Sequence, residues 1–349
     1  MTAGMVHMVA LVDQDKTESA LIGAAAVVDE AAALGHQLAR DIDRIFFVAC
    51  GAPNRSMLGL QYWIEHYSKS LEVRRYFPAE FVTQATPRLD ERTLVVIGSN
   101  SGTTRETIEA AMFLQDYPAI TVGFTTTADK PLAKAVKHVV CSTESAQDIV
   151  GLPHTSMSIA MTGFMGGLLA AKDGWRPEAK LLSSLKALPK AAAAAKAGNE
   201  ARAAKEAKEL QDDKIIYQIA SGPMFCTAYV FGVCTLMEMQ WLHSTPLESA
   251  EFFHGPFEAV DENVPIFLLL GEDPSRPLME RALGFCKTYG KRLYIYDSKD
   301  FEMPGIDPEI RPIVAPYIVG IALDRFSEHL ADLHDHPLET RRYMWKVEY

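Results

Sequence analysis

Two residues in the second half of the chain have the types and setting for proton transfer. Glu238 lies late in the apolar, helix-like run Thr235-Leu-Met-Glu-Met-Gln-Trp-Leu-His-Ser, and His254 opens a Gly-Pro turn sixteen residues further on. A carboxylate and an imidazole brought together can move protons on and off a carbon–oxygen framework at neutral pH. Leu236, Met237, Met239 and Trp241 surround Glu238 with apolar side chains, a setting that disfavours the charged carboxylate and raises its basicity. For His254 the plain alternative is a turn histidine bonding its own loop. Glu248, Glu251 and Glu258 are rival carboxylates, and spacing alone does not choose among the four.

A second cluster lies upstream. Ser99-Asn100-Ser101-Gly102-Thr103-Thr104 follows an apolar run and opens a helical pattern. Unpaired helix N–H groups and the positive end of the helix dipole face such a turn, and several hydroxyls join them. Gly102 lets the backbone approach a ligand closely. Simple capping needs one hydroxyl; a cluster on a strand-to-helix switch is better explained by a phosphate. Arg55, just past the first glycine turn, is a candidate partner for a substrate carboxylate, and an exposed loop arginine explains it equally well. His334-Asp-His336 lacks a third ligand at zinc spacing, so no metal is expected. No G-x-G-x-x-G follows a strand and no Walker A lysine is present, so no cofactor is indicated.

The elements that must hold these residues fall into two blocks. Apolar runs at 44–50, 71–77, 93–98, 119–124 and 138–141 predict five short strands, with a helix over 104–114. The stretch 178–213 is Ala-rich and charged, has high helix propensity and reads as a helical connector, with a break at Gly198-Asn199. The second block restarts with a strand at 214–220, a Ser221-Gly222-Pro223 turn and a helix to about residue 242. Strands at 265–271, 292–296 and 310–314 and a helix at 317–330 follow. Strand–helix alternation predicts an α/β fold: two parallel sheets of about five strands, each flanked by helices in three layers. The expected boundaries are 26–177, 178–213, 214–331 and an aromatic, basic tail at 332–349.

Bulk properties narrow the function. A chain of 349 residues exceeds one typical core. With 34 basic and 45 acidic side chains the net charge is −11, and no basic stripe offers a nucleic-acid surface. No apolar run reaches the roughly 20 residues of a membrane span. The five cysteines show no C-x-x-C spacing and read as reduced thiols, and the N-terminus has no signal-peptide pattern. These features predict a soluble cytoplasmic protein.

Ser99-Asn-Ser-Gly-Thr-Thr104 resembles the phosphate loop of sugar isomerase (SIS) domains, and two such domains in tandem match the two blocks. Glu238 and His254-Gly-Pro resemble the glutamate and histidine of the isomerase half of glucosamine-6-phosphate synthase, at the same spacing. The runs 237–243, 251–258 and 341–349 are similar to bacterial deglycases of phosphorylated Amadori compounds, most to the 6-phosphofructose-aspartate deglycases and next to the fructoselysine-6-phosphate deglycases. The resemblance spans residue 43 to the C-terminus. It implies Glu238 as general base and His254 as general acid. It also implies Ser99, Asn100, Ser101 and Thr104 around the phosphate, and Gly51 beside the ligand. In the tail, Lys346 can orient the leaving amine or merely pack at a subunit interface. It further implies a homodimer whose sites lie between subunits, so that His254 serves the partner's site. The expected enzyme is a hydrolase releasing glucose 6-phosphate. Two departures stand out: Ala52-Pro53 where relatives have a small or hydroxyl residue, and Ser249-Ala250 where they read Ser-Gly. The rival readings are an aldose–ketose isomerase or aminosugar-phosphate deaminase with the same pair, and a sugar-phosphate sensor.

Overall fold

A computed structural model describes residues 9–142 and 152–348. The chain divides into two compact units, one of residues 16–191 and 304–314, the other of residues 1–15, 192–303 and 315–349.

Through the first half run α1 (Gln14–Ala26), α2 (Val28–Ala39), β1 (Arg44–Ala49), α3 (Gly51–Tyr67), β2 (Glu72–Tyr76), α4 (Pro78–Gln84), β3 (Thr93–Gly98) and α5 (Arg105–Phe113). They continue as β4 (Ile120–Thr125), α6 (Pro131–Ala135), β5 (His138–Cys141), α7 (Leu152–Asp173), α8 (Glu178–Gly198) and α9 (Glu200–Leu210). β1 to β5 form one parallel sheet in the order β2-β1-β3-β4-β5. Its middle strands are buried on both faces, which is why they read as continuous apolar runs. Phe46, Val48, Val95 and Ile97 pack with Phe81, Ala110 and Leu132 on one side. Behind the sheet, α2 and α7 touch backbone to backbone: a Cβ on Gly167 would lie 2.0 Å from the Ala32 carbonyl oxygen. Only glycine permits that crossing.

The second half contributes β6 (Ile215–Ala220), α10 (Met224–Tyr229), a π-helix (Val230–Met237), β7 (His243–Glu248), β8 (Ile266–Leu270), α11 (Arg276–Tyr289), β9 (Leu293–Asp297) and α12 (Arg311–Leu333). Its sheet has four parallel strands, in the order β7-β6-β8-β9. Two expectations are corrected here. The helix expected to run to about residue 242 ends at Met237, and β7 follows it unforeseen. β7 carries Pro246 and little apolar alternation; it is tolerated because β7 is an edge strand with one unpaired side. The strand expected at 310–314 is the first turn of α12. Pro312 sits where a helix N–H has no partner anyway. Ile313, Val314, Ala315, Ile318 and Val319 are all buried, so the helical period is masked.

Candidate active site

The hydroxyl cluster occupies the turn between β3 and α5. The turn after β1 begins with Gly51, at φ +53°, and Ala49 pairs with Gly98 in register. β1 and β3 are neighbours from which the chain leaves in opposite directions, so both turns open on a topological switch point where α/β sheets take ligands. The structure thus brings Gly51 to the same sheet edge as Ser99, Asn100, Ser101 and Thr104. Gly102, at φ +64°, is packed so that a Cβ would meet Lys130 Cβ at 2.5 Å and Thr125 Oγ1 at 2.7 Å. Ser99 is buried; its Oγ accepts from the Gly102 N–H at 3.1 Å and lies 2.9 Å from Thr104 Oγ1. If Ser99 gives its single hydrogen to Thr104, the Thr104 hydroxyl keeps its own for an outside acceptor. Ser101 Oγ already accepts from the Thr103 N–H and hydroxyl, at 3.2 and 3.0 Å, so its hydrogen is also unspent. Asn100 Oδ1 is buried with no hydrogen-bond partner.

Arg55 is the fifth residue of α3, half-buried, with its guanidinium 5.5 Å from the Phe77 ring centroid, and is not the exposed loop residue of the alternative reading. One neighbour of this edge carried no sequence signal. His154 Nε2 lies 3.2 Å from Ser56 Oγ, and burial pulls its pKa down to about 4. Its place beside α3 is a product of the fold alone.

Glu238 stands at the end of the π-helix. Its N–H bonds the Val233 carbonyl at 3.0 Å and that of Gln240 bonds Thr235 at 3.1 Å, both five residues back. Such widened turns gather at functional sites because they re-aim a side chain without ending the helix. Trp241 follows in a left-handed conformation, φ +54°, a strained state for a bulky residue. The tail fastens this turn. Gln240 donates to the His336 carbonyl at 2.8 Å, and its Oε1 lies 3.1 Å from His334 Nδ1. Arg341 is buried and places Nη2 2.9 Å from Glu238 Oε1. Burial raises the Glu238 pKa, and the Arg341 charge and hydrogen bond oppose the rise. Met237, Glu238, Trp241, Arg341, Arg342 and Tyr343 are among the residues lining an open pocket of about 330 Å³. Lys346 is exposed further along the tail and is not part of that lining.

Glu238 precedes β7 in the chain and His254 follows it. His254 is exposed in a turn closed by its own N–H to the Glu251 carbonyl, at 2.9 Å. Its imidazole makes no hydrogen bond or ion pair among the described residues. Of the rival carboxylates, Glu251 and Glu258 are exposed. Glu248 ends β7, and burial pushes its pKa up to about 7 against a hydrogen bond from the Gly222 N–H, with Asp273 adding to the rise.

A hydroxyl-rich turn at the switch point of a parallel α/β sheet is shared by several ligand-binding folds; here the SIS-domain family model matches residues 38–171, the block that carries it. The fructosamine deglycase FrlB of Bacillus subtilis is 36% identical over 312 residues, covering 89% of this chain and 94% of that protein. The fructoselysine 6-phosphate deglycase of Escherichia coli is 32% identical over 313 residues, covering 89% and 88%. An agropine synthesis conjugase of Rhizobium rhizogenes is 31% identical, covering 92% and 91%. A crystal structure from Bacillus subtilis classed as a phosphosugar isomerase superposes with a TM-score of 0.86 at 35% identity, covering 93% of this chain and 99% of that one. The chain belongs to the SIS-domain family of fructosamine deglycases and is an enzyme.

Proposed function

We propose that the protein hydrolyses a fructosyl-amino acid 6-phosphate, the aspartate adduct in particular, to glucose 6-phosphate and the free amino acid. The observation that carries this reading is Glu238: a half-buried carboxylate of raised basicity, aimed into a pocket by a π-helix, in a chain similar to deglycases over nearly its whole length.

The substrate phosphate sits on Ser99, Ser101 and Thr104, with Asn100 and the Gly51 backbone beside it. His254 protonates the ring oxygen as the bond from C2 to that oxygen breaks, and the anomeric hydroxyl gives its proton to water, leaving the C2 ketone. Glu238 then removes a proton from C1, and the electron pair forms the C1–C2 double bond of an enaminol. Return of a proton to C2 converts this to an imine at C1. Water adds to C1, the C–N bond breaks, the amine leaves with a proton and the aldehyde is glucose 6-phosphate. No oxidant or metal enters the balance. In this reading the exposed His254 completes the pair across a homodimer, His254 of one copy serving the site of the other. The tail residue Lys346 joins the site at the leaving amine.

The test is incubation with fructosyl-aspartate 6-phosphate and, separately, glucosamine 6-phosphate, followed by assay of glucose 6-phosphate and fructose 6-phosphate. Glucose 6-phosphate with stoichiometric aspartate is the expected result. Fructose 6-phosphate from the aminosugar alone would replace this reading with a deaminase. Because one relative is named as a conjugase, the assay is also run from glucose 6-phosphate and aspartate.

A further inference from the structure

We infer that the pocket beside Glu238 binds the carboxylates of the departing amino acid and that Arg342 is the residue selecting for them. The inference rests on the deglycase reading above and names the determinant of its amino-acid specificity.

Three observations converge on it. The first is charge. The pocket lining holds one carboxylate, Glu238, against two guanidinium groups, Arg341 and Arg342, in a chain whose balance is −11. The second is that the two arginines are differently committed. Arg341 commits both Nη groups, to Glu238 and to the carbonyls of Leu338 and Thr340 at 2.6 and 3.1 Å, and its remaining Nε is buried without a partner. Arg342 makes no ion pair or hydrogen bond among the described residues. Its guanidinium lies 4.1 Å from the centroid of Trp241. The indole face holds the planar group in place while its N–H edges remain open, which is the arrangement that receives a carboxylate through two parallel hydrogen bonds. The third is the chemistry. The base acts at C1, the carbon bonded to the amine nitrogen, and an α-carboxylate lies only two bonds beyond that nitrogen. A second anion is therefore brought close to the Glu238 carboxylate and needs a cation beside it. Arg342 supplies one, and the same charge repels the ammonium of a lysine side chain while favouring the second carboxylate of aspartate.

The test uses the full-length protein and three 6-phosphorylated fructosyl adducts: of aspartate, of lysine and of ethylamine, which has no carboxylate. The readout is the ratio of kcat/KM between adducts. Wild type is expected to favour aspartate over ethylamine by about 10- to 100-fold, the range of a charge-assisted hydrogen-bonded pair. Arg342→Met, which keeps the stem over Trp241, is expected to bring that ratio close to one, chiefly through KM. Arg342→Lys is expected to keep part of it. An unchanged ratio in Arg342→Met overturns the inference while the deglycase reading stands. So does an equal loss on all three adducts, which would make Arg342 a ligand of the shared phosphate. If wild type turns over none of the three, the deglycase reading falls and this inference with it.

Discussion

Glu238 is under two opposed influences, burial raising its pKa and Arg341 restraining the rise. A general base works ionised, so activity fades as pH falls through its pKa. Arg341→Met leaves burial unopposed, and the acid limb of the kcat/KM profile is expected to move to higher pH; an unmoved limb would mean that Glu238 is not the base. Glu238→Gln keeps the shape and removes the base, with an expected fall in kcat of about 10²–10⁴-fold and little change in thermal stability. The apolar setting of Glu238 was legible because Met237, Met239 and Trp241 adjoin it in the chain. Arg341 was not legible as its partner, because an ion pair between distant positions depends on the tail folding back through Gln240, His334 and His336.

At the scale of elements, two short segments hold the candidate site residues. The turn after β3 depends on Gly102, where φ +64° and the approach of Lys130 and Thr125 leave no room for a side chain. Gly102→Ala is expected to lower stability by about 1–2 kcal/mol from the backbone conformation alone and to raise KM for a phosphorylated substrate. Thermal melts and steady-state kinetics measure the two effects. The strand-to-helix switch and its hydroxyls are contiguous in sequence, and they were legible for that reason. The π-helix was not: Val230–Met237 has the apolar character of any buried helix, and the five-residue bonds follow from packing. β7 stayed hidden because an edge strand need satisfy only one neighbour, so His243–Glu248 lacks the pattern of a central strand.

At the scale of the whole molecule, the proposed sharing of Glu238 and His254 between two subunits makes assembly testable. Glu238→Ala and His254→Ala are each expected to be inactive. Mixed through a dissociation and reassociation step, they should recover about a quarter of wild-type activity, since half of randomly paired dimers carry one intact site of two. No recovery would place the pair within one chain or remove His254 from the chemistry. A separate prediction concerns stability. Asp324 lies on α12, and burial pushes its pKa up to about 7, with Lys196 opposing and Glu328 adding. A raised acid pKa stabilises below its unfolded value and loses that contribution as pH rises through the folded value. Asp324→Asn should therefore raise the melting temperature more at about pH 8 than at about pH 5. By itself the sequence determined the fold class, the strands of the first sheet and the hydroxyl-rich turn after β3, because apolar period and turn chemistry are written in adjacent residues. Only the tertiary structure decided which arginine restrains Glu238 and which one faces the pocket uncommitted. Those facts are distances between parts of the chain that only folding brings together or holds apart.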